Sequence, residues 1–133
     1  MKFVEYKKIL DGDTITIELE KPCTCSVGLV ELSMAGFNAR NELENVIEIQ
    51  CEQIDSSFDN PNRILRRVPF GRFPNNNYRT WTTKHIQLQK VDSNDRFLTL
   101  RFKRARSGTD ITFGRKNDNI IYFVLAFFDG EHI

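Results

Sequence analysis

The sequence has few of the side chains that hold metal ions or transfer protons. Its 133 residues include two histidines, His85 and His132, and three cysteines, Cys23, Cys25 and Cys51. The first two cysteines have no second close pair and no neighbouring histidine, so they lack the usual spacing of a zinc site. No Gly-rich phosphate loop and no Ser/His/Asp set at recognisable spacing occurs. We therefore expect reduced cysteines and no metal, cofactor or catalytic residue.

Long apolar runs are also missing. None approaches the roughly 18 residues that a membrane-spanning helix requires, and residues 1–8 contain no apolar segment of signal-peptide length. We expect synthesis inside the cell without a signal peptide, and no membrane span. The length, a hydrophobic content of 40% and a charged content of 28% are typical of one soluble domain. We expect that domain to occupy residues 1–133.

Short apolar alternations along the chain predict β-strands. Ile15 and Ile17 alternate with polar residues, as do Ile47 and Ile49, and this period of two is typical of half-buried strands. Residues 120–128 are apolar at both odd and even positions, which predicts a central strand buried on two faces. Turn-forming residues recur between these runs, and no run has a helical period. We therefore predict a single antiparallel β-sandwich or jelly roll of about eight strands.

The segment CSVGLVELSM, at residues 25–34, has an irregularity within its strand pattern. Apolar residues stand at Val27 and Leu29, and then at Val30, Leu32 and Met34. The period of two has therefore shifted once, by one residue. Because such a shift turns every later side chain to the opposite face, we predict a β-bulge or a sharp local twist here.

Three other segments carry local predictions. Residues 2–6 are short and predict an edge strand. Residues 35–44 have lost the period of two and contain glycine and asparagines, so they predict a connection with one helical turn. Residues 78–90 predict a further extended segment, with the clearest alternation at Ile86 and Leu88.

Acidic and basic residues are segregated along the chain. Residues 1–55 carry 11 acidic and 5 basic side chains, a balance of −6, and residues 56–133 carry 7 acidic and 14 basic, a balance of +7. This segregation allows a basic face for polyanions, or complementary patches that meet between copies of the chain. If the two sets lie on opposite sides, copies would join acidic side to basic side and close into a ring where the rotation permits.

Two basic clusters with aromatic neighbours form the candidate interaction site. Basic side chains pair with phosphates and aromatic rings stack on bases in many nucleic-acid-binding proteins. Alternate residues of a strand face opposite ways, however, which favours solvated faces or subunit contacts over a nucleic-acid site. We expect Trp81 to lie in the core. The basic residues are Arg63, Arg66, Arg67, Arg72, Arg101, Lys103, Arg104 and Arg106, and the aromatic residues are Phe70, Phe73, Tyr78 and Trp81.

The tetrapeptide Asp11-Gly12-Asp13-Thr14 resembles one near the start of staphylococcal-nuclease-like domains, where the second aspartate helps to hold calcium. That family continues into an Asp-x-Pro-Glu motif, whereas this chain has GFNAR at residues 36–40. An Asp-Gly hairpin turn explains the tetrapeptide without calcium chemistry. We expect a turn, and keep a calcium-dependent nuclease as the less favoured alternative.

Five segments follow one another in an order found in a known group of proteins: CSVGLVELSM (25–34), VIEIQCEQI (46–54), RILRRVPF (63–70), HIQLQ (85–89) and FLTLRF (97–102). In this order the chain resembles small structural proteins of Maverick/Polinton-type elements and related animal DNA viruses, the adintovirus and adomavirus kind. Residues 35–38 replace the Pro-x-Ser-Trp-Tyr of that group.

The resemblance implies a β-sandwich component of a virion or particle. Such a component acts through protein–protein contacts with itself and with other particle proteins, and no active site carries over. Capsid and fibre proteins commonly form trimers, so we expect three copies of the chain in the assembly. A nucleic-acid-binding module that uses the basic second half of the chain is the alternative from a different class.

Overall fold

The computed structural model describes residues 1–35, 46–55, 58–69, 78–94, 96–109, 111 and 119–129, except for the side chains of Cys23 and Ser93. These residues contain nine β-strands and no helix. The strands are β1 (Lys2–Ile9), β2 (Thr14–Glu18), β3 (Cys23–Ala35), β4 (Val46–Cys51), β5 (Ile64–Pro69), β6 (Tyr78–Thr82), β7 (Gln89–Ser93), β8 (Phe97–Arg104) and β9 (Ile120–Phe128).

The strands form two antiparallel sheets. Sheet A has the order β1-β9-β3-β6, with β7 also paired with β3, and sheet B has the order β2-β8-β4-β5. Strands β6 and β7 pair with successive parts of β3, at its residues 31–35 and 23–27 respectively, while β9 pairs with β3 at residues 26–33. We therefore count β6 and β7 as one interrupted edge strand.

The pairing of strands from opposite ends of the chain makes this sandwich a jelly roll. Strand β1 pairs with β9, β2 with β8, β3 with the interrupted strand, and β4 with β5. These are the pairs of one long hairpin whose turn lies between β4 and β5. The hairpin is rolled up by the further pairs β9 with β3 and β8 with β4. The prediction of an antiparallel sandwich or jelly roll of about eight strands is confirmed.

The hydrophobic core lies between the two sheets. Its largest fully buried side chains are Phe102 of β8 and Phe123 of β9. Ile15 and Ile17 are buried while the intervening Thr16 is exposed, so the predicted alternation of β2 is confirmed. Burial of each such side chain contributes roughly 1.5–3 kcal/mol before the conformational entropy of the chain is counted.

The predicted irregularity of β3 is also confirmed. The pairing of β3 with β9 shifts register between Leu29 and Glu31. Val27 and Leu29 are buried before the shift, and Leu32 and Met34 after it. The extra residue therefore lets both halves of a long strand keep their apolar side chains in the same core.

Residues 78–90 are not one extended strand, contrary to prediction. Strand β6 ends at Thr82 and β7 begins at Gln89, and the residues between them pass over Gly28 on the outer face of sheet A. A Cβ atom placed on Gly28 would lie 2.6 Å from the carbonyl oxygen of Gln87 and 2.7 Å from Cγ2 of Ile86. Ile86 thus covers a bare stretch of backbone, a contact that alternation cannot show.

The edge strand predicted for residues 2–6 is present and continues to Ile9 as β1. Strand β9 lies between β1 and β3 as predicted for a central strand. Its outer face is not fully covered, however, because Tyr122 is 42% exposed. The connection predicted for residues 35–44 lies outside the described residues, except for Ala35 at the end of β3.

The cysteines differ from one another. Cys51 is free and buried, whereas Cys25 is disulfide-bonded, so the expectation of reduced cysteines is wrong for Cys25. The number of cysteines in a chain does not report the local geometry that sets whether a sulfur has a partner within reach.

Candidate functional site

The outer face of sheet B carries a network of ion pairs. Asp13 lies 2.6 Å from Nζ of Lys103 and 3.7 Å from Nη1 of Arg101, and Arg101 also contacts Glu52 at 2.6 Å. The hydroxyl of Thr14 donates to Asp13 at 2.7 Å. The hydrogen bonds from Lys103 and Thr14 hold the pKa of the Asp13 carboxyl below its ordinary value. Asp13 is therefore an ionised partner of β8.

Glu48 of β4 is the one buried charged residue among those the structure describes. Nη2 of Arg67 lies 3.1 Å from its Oε1, and Nε2 of Gln50 donates to its Oε2 at 2.8 Å. In the strand register, Glu48 stands between Arg67 of β5 and Lys103 of β8. Basic side chains on both neighbouring strands therefore compensate the negative charge of this buried carboxylate.

Part of the opposite charge of the two halves of the sequence is paired within one chain. Each of the five ion pairs in the described part of the chain joins an acidic residue of 1–55 to a basic residue of 56–133. Antiparallel pairing of β2 and β4 with β8, and of β4 with β5, brings these residues together. The paired acidic and basic side chains share one face, so they do not form the opposite sides that a charge-joined ring requires.

The structure disperses the predicted basic residues. Arg67, Arg101 and Lys103 lie in the outer network of sheet B. Arg66 instead extends towards sheet A. Its guanidinium lies over the Trp81 ring at 5.2 Å.

The remaining basic residues lie apart from these. Nε of Arg63 donates to the Ile54 carbonyl oxygen at 3.0 Å, from a backbone with a φ of 54°. Arg104 is half-buried and Arg106 is exposed, and Arg72 lies outside the described residues. The eight residues therefore do not form one continuous basic surface in the part of the chain that is described.

The predicted aromatic residues also separate. Trp81 is half-buried and packs against the core, near the position expected for it. Tyr78, three residues earlier on β6, points to the outer face and is 46% exposed. Phe70 and Phe73 lie outside the described residues. Trp81 and Tyr78, the two predicted aromatic residues that the structure describes, thus lie on opposite faces of sheet A.

An apolar surface on the outer face of sheet A was not predicted as a unit. We call it the tyrosine patch, and it consists of Ile9, Tyr78, Ile120 and Tyr122. Ile9 pairs with Ile120 across β1 and β9. The Tyr78 hydroxyl donates to the Ile120 carbonyl oxygen at 3.0 Å, and its ring meets Tyr122 edge-on at 6.1 Å. Ile9 is 65% exposed.

The sequence contains a partial signal for this patch. Alternation within β1 and within β9 places Ile9 on one face of its strand and Ile120 and Tyr122 on one face of theirs. Only the pairing of β1 with β9 and the position of β6 show that these faces adjoin. Lys7 stands beside the patch, with its Nζ 5.6 Å from the centroid of the Tyr122 ring.

A cleft of about 600 Å³ opens between the β1 edge of sheet A and the end of β2 in sheet B. Its apolar lining includes Val4, Tyr6 and Leu19, and charged residues such as Lys21 and Asp129 also line it. The Tyr6 ring stacks on Phe123 with centroids 5.2 Å apart. Burial raises the pKa of the Tyr6 phenol.

The turn between β1 and β2 contains the Asp-Gly-Asp-Thr tetrapeptide. Two backbone hydrogen bonds between Asp11 and Thr14, of 3.1 and 3.0 Å, close the turn, and Gly12 has a φ of 62°. These hydrogen bonds confirm the predicted turn. Glycine suits this position because it adopts a positive φ more readily than other residues. Within the described residues, no group of three or more His, Cys, Asp or Glu could hold a metal ion.

Strand order and pairing place this chain among the jelly-roll β-sandwich proteins, a class that includes viral capsid domains, lectins and cupins. No known family model matches the chain, and no curated protein matches it. The described residues include no helix long and apolar enough to cross a membrane.

Proposed function

We propose that this jelly roll is a non-enzymatic structural protein that assembles with copies of itself, and with other particle proteins, into a virion or virus-like particle. The jelly-roll strand order supports the proposal because capsid domains use this architecture. The order of segments that resembles Maverick/Polinton-type structural proteins supports it independently. The observation that carries the self-assembly is the tyrosine patch.

The patch has the chemistry of an interface centre. Tyrosine is enriched at such centres because its ring buries a large apolar area while its hydroxyl keeps a polar partner. Tyr78 already donates its hydroxyl to Ile120 and rests against Tyr122. Side chains held in this way lose little conformational freedom when a partner covers them.

The opposite face of the sandwich is less suited to tight contact. Covering the outer face of sheet B would remove water from the pairs of Asp13 with Lys103 and of Glu52 with Arg101. Such desolvation commonly cancels the attraction within an ion pair. Nucleic-acid binding by Arg101 and Lys103 has less support for a related reason, since both side chains already have carboxylate partners.

Sedimentation velocity at tens of micromolar tests this proposal. We expect the native chain to form an oligomer, and Ile9→Ser combined with Tyr122→Ser to shift it to a monomer, because the apolar centre of the contact is lost. Phe97→Ser is the matched control. Phe97 is also a partly exposed aromatic residue, at 37%, but it lies on β8 of sheet B.

Circular dichroism of each variant shows whether the fold is retained. A native chain that stays monomeric at low and at physiological salt would overturn the proposal, as would an oligomer that withstands the double substitution. Electron microscopy of the concentrated oligomer then tests whether assembly continues to closed particles.

A further inference from the structure

Strand β1 is a long, regular edge of sheet A. It pairs with β9 through eight successive residues without a register shift. Among the described strands, none pairs with its other side. Phe3 and Ile9 are 56% and 65% exposed at its two ends. An edge of this kind is a template on which a further strand can add.

We propose that β1 pairs antiparallel with β1 of a second copy of this chain, about a two-fold axis that passes beside Tyr6. This inference rests on the proposed function, because it adds a contact, beside the tyrosine patch, through which two copies associate. The order of charges along β1 favours this contact, because antiparallel pairing of two β1 strands can place Glu5 of each copy opposite Lys7 of the other.

Symmetry restricts how two β1 strands can pair. The two-fold axis is normal to the sheet, so the outer face of one copy continues into the outer face of the other. Opposite residues on antiparallel strands also point to the same face. An odd-numbered residue must therefore lie opposite an odd-numbered residue, and an even-numbered residue opposite an even-numbered one. As a consequence, the two-fold axis passes beside a residue of β1 rather than between two residues.

Charge then selects one register. Centring the pair on Tyr6 places Glu5 opposite Lys7 of the second copy, and symmetry makes this contact twice. Centring it on Glu5 would place Glu5 opposite itself and Lys2 opposite Lys8. Centring it on Lys7 would place Lys7 opposite itself. Like charges directly opposite are destabilising and opposite charges stabilising, so the Tyr6 register is favoured.

The apolar residues agree with this register. Phe3 of one copy lies opposite Ile9 of the other, so the two most exposed apolar side chains of β1 cover each other. Centring on Val4 also avoids like charges, but it leaves Lys8 and Ile9 beyond the paired segment. Because Ile9 pairs with Ile120, the Phe3 contact also extends the tyrosine patch across the two-fold axis.

Glu5 and Lys7 permit a charge-exchange test in the full chain. Glu5→Lys and Lys7→Glu should each weaken self-association by about tenfold, since each places like charges opposite one another. An equimolar mixture of the two variants should associate again, because every Lys then faces a Glu of the other variant. The double variant E5K/K7E should also associate by itself. Sedimentation equilibrium at low salt measures all four samples.

Cysteine cross-linking tests the register without relying on charge. Phe3→Cys mixed with Ile9→Cys should give a covalent dimer on mild oxidation, because opposite Cα atoms lie about 4.5–5.5 Å apart, within disulfide range. Neither variant alone should cross-link efficiently, since each new cysteine is about 20 Å from its own copy across the axis. Circular dichroism confirms that each variant folds.

The outcomes separate this inference from the proposed function. Recovery on mixing together with the Phe3 to Ile9 cross-link supports β1 pairing. An oligomer that responds to the tyrosine-patch variants but shows neither result would overturn β1 pairing and leave self-assembly standing. A native chain that is monomeric throughout would overturn both.

Discussion

The guanidinium group of Arg66 lies over the indole ring of Trp81, with 5.2 Å between its central carbon and the ring centroid. Arg66 belongs to β5 at the edge of sheet B, and Trp81 to β6 at the edge of sheet A. Nη1 of Arg66 also donates to the carbonyl oxygen of His85 at 3.2 Å. These contacts join the two sheets along one edge of the sandwich, while the cleft opens at the other.

Removing Trp81 should destabilise the fold without changing the oligomeric state. Trp81 is half-buried against the core, so Trp81→Ala should lower the free energy of unfolding by about 2–3 kcal/mol, less than for a fully buried tryptophan. Urea denaturation measures the loss, and sedimentation of the same variant should match the native chain. A changed oligomeric state with an unchanged unfolding midpoint would instead identify Trp81 as an interface residue.

The Arg66 and Trp81 side chains should be energetically coupled. In a double-mutant cycle, Arg66→Ala and Trp81→Ala together should destabilise less than the sum of the single variants, by about 0.5–1 kcal/mol for an exposed cation–π contact. Arg106→Ala, which removes an exposed arginine elsewhere, is the control and should add to Trp81→Ala without coupling. Strict additivity for Arg66 would contradict the contact.

A methyl group on Gly28 should displace the segment that crosses it. Gly28→Ala should lower the free energy of unfolding by about 1–3 kcal/mol, because the new Cβ would overlap the Gln87 carbonyl oxygen and Ile86. Trypsin should also cut faster after Lys84, within the displaced segment. Time-resolved proteolysis under native conditions measures this.

Gly12→Ala is the matched control for Gly28. A Cβ on Gly12 meets nothing within 4 Å, but the φ of 62° is strained for alanine, so the expected loss is about 1–2 kcal/mol from the backbone alone. Cleavage after Lys84 should stay at the native rate. Equal acceleration in both variants would show that general destabilisation, rather than the contact over Gly28, opens the segment.

Asp13 should make the fold sensitive to acid. Its pKa is lowered in the folded chain from an ordinary value of 3.8, chiefly by the hydrogen bond from Lys103. Its contribution is therefore present above about pH 4 and is lost as pH falls through the folded pKa. Asp13→Asn should be less stable than the native chain at pH 7, by about 1 kcal/mol. The free energies of unfolding of the two proteins, measured as a function of pH, should converge below pH 4.

Cys51 should make the fold sensitive to alkali. Burial raises the pKa of its thiol from 9.0 to about 11, so the folded chain keeps a proton that the unfolded chain releases. Stability should fall between about pH 9 and 11, with a contribution of roughly 2–3 kcal/mol from this group. Cys51→Ala should be less stable at pH 8 and should lose less stability over that range. An identical slope in both proteins would contradict the assignment.

The sequence by itself determined the local features of the strands. The faces of Ile15 and Ile17, the bulge in β3 and the turn at Gly12 all follow from short-range patterns, because side chains alternate along any extended chain and glycine permits a left-handed turn. The same alternation failed at Ile86, where the side chain covers Gly28 instead of continuing a strand.

Only the tertiary structure decided which faces meet. The order of strands in the jelly roll, the pairing of Asp13 with Lys103 within one chain, and the union of Ile9 with Ile120 in the tyrosine patch depend on contacts between residues far apart in sequence. A local pattern fixes the face on which a side chain lies, but many strand orders satisfy the same set of faces. The register between distant strands selects one of them, and it also sets which charges are paired and which apolar side chains stay exposed.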